Sequence, residues 1–76
     1  MADSEVLRNT LREHRARARL TQAELADLVR VSRKTINTVE NGVFVPSTVL
    51  ALRLARALGV PVEALFALPD ARDGPE

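Results

Sequence analysis

A length of 76 residues leaves room for one domain, near the lower limit at which an aliphatic core alone sustains a fold. Its apolar content of 46% is too high for a disordered segment, the absence of cysteine excludes disulfides and thiolate metal sites, and a lone histidine does not build a zinc site. Formal net charge is only +1, yet residues 8–41 hold Arg8, Arg12, Arg15, Arg17, Arg19, Arg30, Arg33 and Lys34 against Glu13, Glu24, Asp27 and Glu40, the asymmetry that a polyanion-binding face requires.

Leu, Ala, Arg and Glu dominate, and Val, Ile and Thr form no alternating run of strand length, so the pattern predicts an all-α fold of five helices. The first helix is expected from a cap at Asp3 or Ser4 to about Arg17, with Leu7, Leu11 and Ala18 as its buried stripe. Leu20 closes the link to a second helix over about Gln22–Val29, opened by the Thr21-x-x-Glu24 capping box. Ser32 caps a third helix, about Arg33–Asn41, which Gly42 ends in the left-handed region. Ser47 caps a fourth, about Thr48–Leu58, stopped by Gly59, and a short fifth covers about Val62–Ala67. Apolar residues encircle the fourth helix so completely that burial on more than one side is expected, within the monomer or against another subunit. The expected domain is 1–68, and residues 69–76 read as a disordered polar tail.

The centre of the chain carries the functional signal. Leu25, Ala26 and Val29 share a face of the second helix, Ile36 and Val39 a face of the third, and Val31 sits in the turn, which locks two short capped helices at a steep angle. Arg33, Lys34, Asn37 and Thr38 then project outward, the arrangement of a DNA reader.

Through Leu20-Thr21-Gln22-x-x-Leu25-Ala26, Val31-Ser32-Arg33-x-Thr35-Ile36-x-x-x-Glu40-Asn41-Gly42 and Pro46-Ser47, the chain resembles the Cro and lambda-repressor-like (XRE-type) helix-turn-helix family over roughly residues 5–68. The later Leu54-Ala55-x-x-Leu58-Gly59-Val60 and Glu63-x-Leu65-Phe66 are similar to its short members. One departure is Arg30, where the family usually has glycine in the turn.

The resemblance implies that the third helix enters the major groove, with Arg33, Lys34 and Thr38 on base edges and Asn37 at the margin. It assigns Gln22 to a phosphate and to bracing the start of the third helix, with Ser32, Thr35, Asn41 and backbone N–H groups around Gly42 and Ser47 as further phosphate partners. Arg15 and Glu40 resemble an interhelical ion pair that aims Arg15 at the backbone, expected to be a surface pair. His14 is expected at the surface, and Phe44 as a plug in the core or loop.

The function expected is a sequence-specific regulator, a repressor acting as a homodimer on a palindromic double-stranded operator, with Val62, Leu65, Phe66 and Leu68 at the dimer contact. The alternative is an antitoxin-like or partner-binding module that also controls its own operon. No enzyme constellation, cofactor, metal or small-molecule site is expected. The acidic N-terminus and the lack of a long apolar stretch predict a cytoplasmic protein with no membrane partner.

Overall fold

The computed structural model describes residues 7–69, so both the Asp3 or Ser4 cap and the tail from residue 70 lie outside the described residues. In chain order the elements are β1 (Arg8–Asn9), α1 (Leu11–Arg17), α2 (Gln22–Val29), α3 (Arg33–Glu40), α4 (Thr48–Leu58), α5 (Val62–Leu65) and β2 (Phe66–Ala67). The five expected helices are present, joined by one antiparallel pair that sets Arg8 opposite Ala67 and Asn9 opposite Phe66.

That pair explains why the first helix starts later than expected and the fifth stops earlier. Thr10 donates its N–H to the Leu65 carbonyl at 2.9 Å and its hydroxyl to the Ala64 carbonyl at 2.7 Å. Asn9 donates its side-chain amide to the Val39 carbonyl at 2.6 Å and accepts the Leu11 N–H at 3.0 Å. These short polar side chains offer the backbone tertiary partners in place of a helical turn. Of the expected stripe only Leu11 is fully buried; Leu7 precedes β1 and Ala18 is exposed.

The middle helices follow their local signals. Thr21 and Glu24 form the reciprocal capping box, and Ser32 and Ser47 each accept the backbone N–H three residues on. Arg19 and Arg30, at φ +60° and +64°, turn the chain after α1 and α2, as Gly42 and Gly59 do after α3 and α4. After α2, the N–H of Val31 reaches the Ala26 carbonyl and that of Arg30 the Asp27 carbonyl, which closes the helix end. The non-glycine turn residue therefore adopts the left-handed conformation, with its steric cost.

Leu25, Ala26 and Val29 of α2 meet Ile36 and Val39 of α3 in one core with Leu11, Leu50, Leu54, Ala55 and Leu65. Of the two alternatives for α4, the structure bears on the first: Leu50, Leu54 and Ala55 are buried, but Val49 and Leu52 remain 58% and 53% exposed. Burial of α4 on several sides is not achieved by the described residues, which leaves the second alternative, another subunit, open. No helix among the described residues is long and apolar enough to cross a membrane.

Candidate nucleic-acid interface

Packing of α2 on α3 through the core leaves Arg33 and Lys34, the first two residues of α3, exposed beside the start of α2. What orients Arg33 is a polar relay centred on Glu40, at the opposite end of α3. Its side chain is wholly out of solvent. Arg15 donates from Nε to Oε2 at 2.5 Å and from Nη2 to Oε1 at 3.2 Å; Gln22 donates from Nε2 to Oε1 at 3.0 Å and Arg12 from Nε at 3.4 Å.

Burial pushes the Glu40 carboxyl up, but hydrogen bonds from Arg15 and Gln22, the Arg15 charge and the bond from Arg12 more than offset it, so the group titrates below the usual carboxylate range. The relay continues outward. With Nε2 turned to Glu40, Gln22 presents Oε1 to Arg33, which donates from Nη1 at 3.4 Å. The Gln22 amide has a second N–H on the same nitrogen, which leaves one donor for an anion.

This geometry revises several expectations. Arg15 and Glu40 are not a surface pair, since Arg15 is 16% exposed and Glu40 fully covered. Arg15 also donates from Nη1 to the Leu20 carbonyl at 2.8 Å, so its fork faces inward and fastens α1 to α2 and α3. The more exposed cation at this corner is Arg12, which the sequence reading left unassigned. It lies one turn before Arg15 and donates from Nη2 to Asn41 Oδ1 at 2.7 Å; that helical spacing was the available signal. Asn41 in turn donates to Asn37 Oδ1 at 3.2 Å, so both amides belong to one surface chain.

The backbone N–H groups at residues 42–44 are also committed, Gly42 to the Val39 carbonyl and Val43 and Phe44 to the Thr38 carbonyl, and are not free for an anion. Ser32 and Ser47 are exposed, their hydroxyl oxygens accepting cap hydrogen bonds; Ser32 Oγ also lies 3.0 Å from Thr35 Oγ1. Thr38 spends its hydroxyl proton on the Thr35 carbonyl at 2.9 Å. His14 is half-buried, with Nδ1 beside the Thr10 oxygens at 3.1 and 3.2 Å. Phe44 is no core plug, being 46% exposed alongside α3. Leu65, expected at a subunit contact, is 1% exposed and belongs to the monomer core.

Two capped helices at a fixed angle, the second presenting cationic and polar side chains from its first turn, define a helix-turn-helix DNA-binding domain. The family model described as a helix-turn-helix domain matches residues 6–68. An uncharacterised HTH-type transcriptional regulator of Methanothermobacter thermautotrophicus is 48% identical over 65 residues, spanning 84% of this chain and 94% of that protein. Among solved structures, the clp gene regulator ClgR of Corynebacterium glutamicum superposes with a TM-score of 0.68 at 35% identity, over 71% of this chain and 57% of that one. The restriction-modification controller protein C.AhdI of Aeromonas hydrophila gives 0.67 at 38% identity, over 70% and 77%. The chain belongs to the XRE-type helix-turn-helix family of DNA-binding transcriptional regulators.

Proposed function

We propose that this regulator is a sequence-specific repressor that inserts α3 into the major groove of a palindromic operator and binds it as a homodimer. The observation that supports this most directly is the relay from Glu40 through Gln22 to Arg33, which pre-orients an exposed guanidinium at the leading end of α3. A guanidinium held on one side keeps further N–H donors for the O6 and N7 acceptors of guanine. Lys34 and Thr38 lie one helical turn apart on the same side and extend the base-reading ridge, with Asn37 at its margin. Gln22, Ser32, Thr35, Asn41 and Ser47 flank the ridge and take phosphates, which set register without carrying sequence information. Arg12 joins them in place of Arg15.

One α3 contacts too few base pairs for useful selectivity, so two half-sites about 10–10.5 base pairs apart are required. The apolar surface around Leu52, Val62, Phe66 and Leu68 supplies the subunit contact. The operator binding itself is the regulatory act; no catalytic step is assigned. The test is selection of bound duplexes from a random pool, followed by titration of the winning site. Arg33→Ala is expected to relax preference at one base position per half-site, a loss of about 1–3 kcal/mol of discrimination. An unchanged selection profile would remove Arg33 from base readout.

A further inference from the structure

Phe44 and Val43 stand out because exposure is costly for them and the described residues leave them 46% and 78% exposed. They do not dangle. Gly42 reverses the chain at φ +75°, and the N–H groups of Val43 and Phe44 both donate to the Thr38 carbonyl, at 2.9 and 3.2 Å. The loop is thereby pinned to the C-terminal end of α3 and moves with it. Between loop and helix lies a groove of about 340 Å³ lined by Lys34, Thr35, Thr38, Val43 and Phe44.

The lining decides what the groove accepts. Thr38 has given its hydroxyl proton to the Thr35 carbonyl, and Thr35 Oγ1 is paired with Ser32 Oγ at 3.0 Å. The rest of the lining, Val43, Phe44 and the two threonine methyls, is apolar, with one cation, Lys34, at its edge. Resting on the placement of α3 in the major groove, the groove faces base edges, and the apolar group that a base pair presents there is the C5 methyl of thymine. Lys34 matches the neighbouring acceptors, either thymine O4 or guanine O6 and N7. We propose that this groove receives a thymine methyl at a position adjacent to the base addressed by Lys34, with Phe44 as a specificity-determining residue outside the recognition helix.

Replacing thymine by uracil removes that methyl and leaves the hydrogen-bonding edge intact. In the selected operator, uracil is substituted at each thymine of one half-site in turn and dissociation constants are measured for the full chain. One position is expected to weaken binding about fourfold, the factor for losing one buried methyl-sized group. Phe44→Ala is expected to abolish sensitivity at that position while keeping the preference for the base under Arg33; Phe44→Leu, which keeps an apolar side chain, is expected to retain the sensitivity. No uracil effect at any thymine, or an undiminished effect in Phe44→Ala, overturns the proposal while leaving DNA reading by α3 intact. Absence of sequence-dependent binding to any duplex overturns the reading of α3 and the groove with it.

Discussion

Glu40 is the residue on which the polar relay joining α1, α2 and the start of α3 turns. Because its folded-state carboxyl titrates below the ordinary carboxylate value, the unfolded chain takes up a proton first on acidification. The stability it contributes is therefore complete above the ordinary carboxylate pKa of about 4.3 and is lost as pH falls through the lower folded-state value. Urea unfolding between pH 6 and pH 3 is expected to show this decline, and Glu40→Gln to lack that component of it. At pH 7 the same substitution removes charge-assisted hydrogen bonds from Arg15 and Arg12, a cost of about 1–3 kcal/mol. An equal acid dependence in the two proteins would show that Glu40 is not the titrating group. Its chemical identity was legible as half of a pair with Arg15, but its burial was not. Three donors from α1 and α2 converge on it only after the chain folds, and no local pattern encodes that convergence.

At the scale of elements, the bounds of α2 and α4 coincide with those read from caps and stops, because a Thr-x-x-Glu box, a serine cap and a C-terminal glycine act within one turn of the chain. The first and fifth helices are shorter than local pattern predicts for the opposite reason. Thr10 and Asn9 find partners 30 to 54 residues away, and those long-range hydrogen bonds convert both helix ends into β1 and β2. The turn between α2 and α3 was marked as unusual by its arginine, and the left-handed φ of +64° makes the consequence testable. Glycine removes about 1–2 kcal/mol of left-handed strain but costs about 0.5–1 kcal/mol in unfolded-chain entropy. It also thins a cleft where Arg30 shares a lining with Arg53 and Arg56. Arg30→Gly is expected to raise the thermal midpoint by about 2–8 °C, the shift for roughly 0.5–1 kcal/mol in a domain of this size. A lowered midpoint in a calorimetric scan would mean that the Arg30 side chain contributes more than its backbone strain costs.

At the scale of the whole molecule, the unfinished feature is the apolar surface on α4 and the C-terminal segment. Val49 and Leu52 lie one turn apart on α4, and Leu52 lines a groove of about 240 Å³ with Leu7, Val45, Pro46, Thr48, Ala51, Val62 and Phe66, while Leu68 is 64% exposed. A domain this small rarely leaves such a contiguous patch to water unless something covers it, and in the proposed homodimer a second copy does so symmetrically. With Leu65 in the core, the proposed contact keeps the outer side of α4 with Val62, Phe66 and Leu68 and loses Leu65 alone. Leu52→Glu places a charge on this surface without touching the core, because Leu52 is already 53% exposed, so the variant keeps its fold. Sedimentation at micromolar concentration is expected to show a dimer for the parent chain and a monomer for the variant. The salt dependence of operator binding reports the same change independently. If about three phosphates are neutralised per subunit, the log–log slope is near −5 for the dimer and about half that for the monomer. Identical sedimentation and slope for the two proteins would place the subunit contact elsewhere. A monomeric parent chain with the slope of a single half-site would instead leave operator recognition to one α3 per molecule.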